Sequence, residues 1–201
     1  MWVVLLSGLV AILIGPATSW LVREQLHVNC SMGAPGSEGA NTWACSDGIG
    51  YLGVALVLGA MWFVVVLSGS LVAGLVRHER AARVLLFILA AISSGWILGW
   101  TWYGADRLVG DEYAPVSGPG YWAMAVGPAA IACAVALLAG LAGLVIRGRV
   151  ACIFSLAAVI AFAVAILLQP GLSINVVPAA GVAAAATARA WPPGAGAEAV
   201  R

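Results

Sequence analysis

The sequence predicts an all-α integral membrane bundle of five or six transmembrane helices with no soluble domain. Three observations predict it. Apolar residues make up 63% of the 201 positions and charged residues only 8%, against roughly a quarter charged in a soluble domain. The apolar residues fall into runs long enough for a helix to cross a hydrocarbon core about 30 Å thick. The charged residues sit almost entirely in the gaps between those runs. A soluble fold of this size has nowhere to hide so much apolar surface.

The first run, 1–22, opens without the basic residues that precede a cleaved signal segment and exceeds the usual length of such a segment's apolar stretch. It reads as a retained helix kinked at Pro16, whose ring removes one helical hydrogen bond. A polar outer loop rich in Gly, Ser, Asn and Pro follows at 23–48. The second helix, 49–76, stops at Arg77-His78-Glu79-Arg80. The third covers 84–103 and leads into a short acidic loop, 104–120, with Asp106, Asp111 and Glu112. The fourth, 121–146, ends at Arg147-Gly148-Arg149, and the fifth, 150–168, at Gln169-Pro170-Gly171. The sixth, 173–190, is the weakest by hydropathy. It is mostly alanine, which favours insertion much less than Leu, Ile, Phe or Val, and it contains Asn175, Pro178 and Gly181. Residues 1–191 thus form one transmembrane domain. Residues 192–201, rich in Pro, Gly and Ala, read as a disordered tail. No repeat period or pair of matching halves is present, so an inverted-repeat carrier has no support.

Arginine sets the orientation, because basic residues are retained on the cytoplasmic side of short loops. The chain has nine arginines and no lysine. With the amino terminus cytoplasmic and six crossings, Arg77, Arg80, Arg83, Arg147, Arg149, Arg189 and Arg201 are inside, and only Arg23 and Arg107 are outside. With five crossings the contrast nearly vanishes, so the arginines themselves favour a sixth helix. Aromatic residues agree: Trp20, Tyr51, Trp100, Trp102, Tyr103, Tyr121 and Trp122 gather at the expected outer interface. The arginine-only, Ala/Gly/Val-rich usage suits a GC-rich bacterial genome, and the membrane is read as a bacterial plasma membrane.

Cys30 and Cys45 share the outer loop, where an oxidising compartment lets them pair. A disulfide closing a loop of about 15 residues stabilises by about 3 kcal/mol in the chain-entropy account. Redox catalysis is not indicated, since no C-x-x-C pair or relay pair is present; Cys133 and Cys152 read as small packing residues. His27 and His78 fall on opposite sides and lack ligand spacing, so no metal is expected. Ser93-Ser94-Gly95 lies in the third run, but no histidine is in any run to act as base. No ionisable residue lies mid-span, no phosphate-binding motif occurs, and the net charge of +1 gives no signal for nucleic acid. No cofactor is expected.

The third helix is the best marked. Gly95 and Gly99 form a small-xxx-small pair of the kind that lets helices approach closely, and Ser70/Gly74 and Ala136/Gly140 repeat the spacing. Trp96, Trp100 and Tyr103 recur on one face, with Trp96 deep enough to meet Trp62. Trp62, Gly95, Trp96, Gly99 and Trp100 are therefore the candidate packing or ligand face. The leading functional expectation is a non-enzymatic accessory, scaffold or immunity-type membrane component. It would bind lipid and another membrane protein or itself. The competing expectation is a transporter or permease subunit for a lipophilic or neutral solute. It rests on Trp62, Trp96, Trp100 and the interruptions at Gly15-Pro16 and Gly127-Pro128, and needs a polar cavity between the second, third and fourth helices. An enzyme would have its only seat on the outer surface, around Asp47, Asp106, Asp111 and Glu112.

Overall fold

The structure, a computed structural model, describes residues 1–110, 112–146 and 148–190. The predicted tail at 192–201 lies outside them, as do Asp111, Arg147, Trp191 and Arg201. Eight α-helices dominate the described residues: α1 (Trp2–Ile14), α2 (Pro16–Trp20), α3 (Leu52–Leu75), α4 (Glu79–Arg107), α5 (Gly118–Ala125), α6 (Gly127–Val145), α7 (Arg149–Leu168) and α8 (Ser173–Ala190). Five helical segments are long and apolar enough to cross a membrane, and a sixth if α1 and the segment Pro16–Gln25, bent from it by 46°, count as one span.

The bundle is organised around α8. Its most apolar window has the lowest mean hydropathy of the five, 1.5 against 2.0–2.9, yet 61% of that window is buried, against 11–33% in the others. It touches α1, α3, α4 and α7. Its small side chains make this feasible. A Cβ placed on Gly181 would fall 2.0 Å from Ser7 Oγ of α1, and one on Gly69 of α3 would fall 2.6 Å from Val182 of α8. Bulkier helices face outward instead: Leu13, Leu56, Leu138 and Leu167 are all exposed. Large apolar side chains are thus abundant on the outside, while the contacts of α8 with α1 and α3 are made by small ones.

Two helix ends owe their completion to arginines from elsewhere. α3 stops where Val76 turns extended, leaving carbonyls without amide partners. Arg189 of α8 supplies the donors, with Nη1 to Val76 O at 2.7 Å and Nη2 to Ala73 O at 2.9 Å. At the end of α6, Arg83 Nη2 donates to Gly143 O at 2.6 Å. A cation also suits the negative pole of a helix carboxyl end. Both caps lie at the end of the bundle that gathers Arg77, Arg80 and Arg149.

The helices depart from the sequence expectation in three places. The third predicted helix, 84–103, runs from Glu79 to Arg107. His78 Nδ1 caps it by accepting from the Ala81 amide at 3.2 Å, and 29 residues rise about 44 Å, longer than a hydrocarbon core. The fourth predicted helix, 121–146, is two: α5 and α6 part at Val126, just before Gly127-Pro128. The loop at 23–48 is also not unstructured. A π-helical turn continues the first run to Gln25, and strands β1 (Cys30–Met32), β2 (Trp43–Cys45) and β3 (Val109–Gly110) form a sheet in the order β2-β1-β3. β1 is antiparallel to β2 and parallel to β3, so both loops of this end join in one cap.

Replacing Gly181 by Val forces a side chain into Ser7 and is expected to cost about 1–3 kcal/mol by overpacking. Gly95→Val, placed where nothing lies within 4 Å of a new Cβ, is expected to leave the unfolding temperature in mild detergent unchanged. Equal losses for the two variants would refute α8 as the packing centre.

Candidate functional site

The cap end holds the molecule's irregular backbone and most of its unusual chemistry. Three proline-marked breaks lie there: Gly15-Pro16 in the first run, Gly127-Pro128 between α5 and α6, and Gln169-Pro170 between α7 and α8. Each ring withholds an amide, so side chains must supply donors. Gln169, only 3% exposed, does this for one break. Its Nε2 donates to Ala125 O at 2.8 Å and to Gln25 Oε1 at 2.7 Å, while its Oε1 accepts from the Gly171 amide at 3.2 Å. One buried amide therefore ties the first run, the α5–α6 break and the α7–α8 turn.

Beside the first break the helices diverge. α1 and α3 are in contact lower down, where Trp62 Nε1 donates to Gly8 O at 3.1 Å. After the 46° bend, α2 and the start of α3 enclose a cavity of about 360 Å³, lined by Gly15, Thr18, Tyr51, Ala55, Leu58 and Ile174 among others. Its wall is mainly apolar. Thr18 contributes a buried hydroxyl without a hydrogen-bond partner, whereas Tyr51 donates to Val28 O at 2.8 Å. Behind Leu58 and Ile174 lies fully buried Asn175, whose Nδ2 donates weakly to Leu58 O at 3.4 Å and whose Oδ1 has no partner. Ser93 donates to the Asn175 carbonyl at 2.8 Å, within the turn disturbed by Pro178, and Ser94 donates to Ala90 O. Both serine protons are thus committed to backbone.

Above the cavity, the cap closes the bundle. The sulfurs of Cys30 and Cys45 are 1.98 Å apart, across directly paired positions of β1 and β2. Asn29, in the left-handed region at φ 59° that asparagine tolerates, donates from its side chain to Gly50 O and from its amide to Leu108 O. His27 stacks on Trp43, with ring centroids 4.1 Å apart, and meets the edge of Tyr121 at 5.0 Å. This trio clamps the first loop onto α5. Burial holds His27 below the ordinary histidine value, opposed by the Glu24 charge and a backbone hydrogen bond at Arg23.

The residues singled out from the sequence do not form a single face. Trp62 turns to α1. Trp96, 42% exposed, donates from Nε1 to Val57 O of α3 at 3.3 Å. Trp100 packs half-buried against the core. The two indoles expected to meet, Trp62 and Trp96, each hold a different neighbour. Gly95 and Gly99 are exposed with open space around them. Asp106 pairs with the adjacent Arg107 at 2.9 Å rather than with other acids, and no cluster of three or more His, Cys, Asp or Glu close enough to hold a metal occurs among the described residues. Thr18, Asn175, Gln25 and Gln169 are not singled out by the sequence as site residues; Pro16, Pro178 and Pro170 near Thr18, Asn175 and Gln169 were the available signal, and Gln25 had none. In comparison with known proteins, the chain matches no protein-family profile, no curated protein and no solved structure.

The histidine clamp makes the cap acid-sensitive. An opened loop takes up a proton near the ordinary value of about 6.5, while the packed ring does so only at lower pH. Cap stability is therefore full above about pH 6.5 and is lost as pH falls through the folded value. The protection factors of the 27–46 amides, their exchange rates corrected for the intrinsic pH dependence, are expected to fall as pH drops across that window in the wild type and to lose the dependence in His27→Phe. A flat wild-type profile would refute the clamp.

Proposed function

We propose that this chain is a multi-pass protein of the bacterial plasma membrane, amino terminus cytoplasmic, that acts as a non-enzymatic accessory, scaffold or immunity-type component. It binds another membrane protein, or a second copy of itself, through the outward face of α4. One observation carries this reading. Gly95 and Gly99 lie one turn apart on a continuous exposed stripe with Ile88, Ile92, Trp96 and Trp102, and no atom lies within 4 Å of where their side chains would begin. Gly69 and Gly181 have the same residue type but are filled by neighbouring helices. A glycine pair open to lipid gives a second helix a place to approach closely. The Trp96 indole, anchored on Val57, supplies a fixed wall for that notch. The orientation follows from the arginines, of which Arg77, Arg80, Arg83, Arg149 and Arg189 fall at one end and Arg23 and Arg107 at the other. No cofactor, metal or nucleic acid enters this reading.

The test is photo-crosslinking in native membranes from Ile92, with Leu167 as the control; Leu167 is 80% exposed on α7. A discrete adduct from Ile92, absent from Leu167 and lost in Gly95→Ile/Gly99→Ile, is expected. An adduct at twice the chain mass identifies a second copy as the partner. Identical patterns at both positions would refute the docking face.

A transporter or permease subunit is the second reading, favoured by the 360 Å³ cavity at the broken first run. Against it, the cavity at the arginine end shares no lining residue with this one. Between α4, α6, α7 and α8 there is only about 30 Å³, space for a water or two. Ala55→Trp fills the outer cavity. Loss of solute uptake would support transport, and unchanged uptake in cells would remove it.

A further inference from the structure

At the arginine end a cavity of about 510 Å³ opens between the first turns of α4 and α7 and the last turn of α6. Its polar lining is Glu79, Arg80, Arg83 and Arg149, and its apolar lining includes Leu144 and Val145. Arg83 is fixed at the wall by its bond to Gly143 O, which occupies one of its five N–H donors. Arg80 and Arg149 are exposed, and among the described residues neither they nor Arg83 forms an ion pair. Three guanidiniums thus face a cavity with one carboxylate, and among the described residues none of the three has an ion-pair partner.

We infer that this cavity is a binding site for the headgroup of an anionic phospholipid, held by Arg80, Arg83 and Arg149. The inference rests on the membrane reading above. Guanidinium forks match phosphate oxygens. The ligand has one charged end and hydrocarbon behind it, because exposed Val145 and Val150 (74% and 48%) continue from the cavity mouth as an apolar surface. A free phosphate gains nothing from that surface; an acyl chain does. Glu79 offers an acceptor for a headgroup hydroxyl, so a hydroxylated anionic lipid such as phosphatidylglycerol fits best. The amino-terminal ends of α4 and α7 add their positive poles on the same side.

The full chain is reconstituted in nanodiscs of phosphatidylcholine with phosphatidylglycerol, and retained lipid is read by native mass spectrometry. The wild type is expected to hold phosphatidylglycerol selectively. Arg80→Gln/Arg149→Gln removes two side chains without ion pairs among the described residues, and is expected to weaken retention on the order of thirtyfold. Arg23→Gln/Arg107→Gln, at the cap end, is expected to leave it unchanged. Equal retention in the first variant, or equal loss in the second, overturns the site. Displacement of the lipid by inorganic phosphate at equal concentration overturns the lipid as ligand. Failure of the wild type to enter the discs overturns the membrane reading together with this one, whereas entry without lipid selectivity overturns this one alone.

Discussion

The close approach of α8 to four other helices is the constraint from which the rest of the structure follows. A helix at the centre of a small bundle has no room for leucine on most of its surface. Gly181 against Ser7, and Val182 against Gly69, bring the backbones near enough for side chains of only a few atoms to fill the space. That requirement explains the alanine content of α8. Around it, the surrounding helices bury a few large side chains, Leu58, Leu86, Ile97 and Phe162, and leave many of their leucines and isoleucines on the outside. Among apolar surroundings that favour no partner by hydrophobicity, packing and hydrogen bonds hold such an assembly.

A tightly packed bundle must still satisfy its helix ends, and the two ends do so by different chemistry. At the arginine end, guanidiniums reach across to carbonyls of neighbouring helices, Arg189 to α3 and Arg83 to α6. These are charge-assisted bonds, and they lock α8 to α3 and α4 to α6. At the cap end neutral groups serve. Gln169 ties the end of the first run to the α5–α6 break and the α7–α8 turn, a disulfide closes the first loop and the β1–β3 pairing joins it to the second, and an aromatic trio clamps the lid. Where the first run bends away from α3 the elements part, and the cavity with the unpartnered Thr18 hydroxyl lies there.

The functional reading follows from what the bundle leaves unused. Among the described residues no neighbouring helix fills the α4 glycine pair, the arginines of the arginine-end cavity form no ion pair, and the hydroxyls of Ser93 and Ser94 are tied to backbone. Both surfaces face outward from the bundle.

Composition alone carried the helical class, the approximate runs, the concentration of arginine at alternate gaps and the placement of Cys30 and Cys45 in one loop. These depend on the amount of apolar surface per segment and on where charge falls, and both are local properties of a chain. The start of α4 at Glu79 was obscured because a helix can extend past the hydrocarbon into charged residues. The strands were obscured because two or three residues carry no alternation to detect. Tertiary structure alone decided which glycines are filled and which are open, that the least hydropathic helix is the centre, and that Trp62 and Trp96 hold separate neighbours. Hydropathy measures how well a residue leaves water and is silent on whether lipid or another helix receives it. Only the positions of the neighbouring helices make that choice.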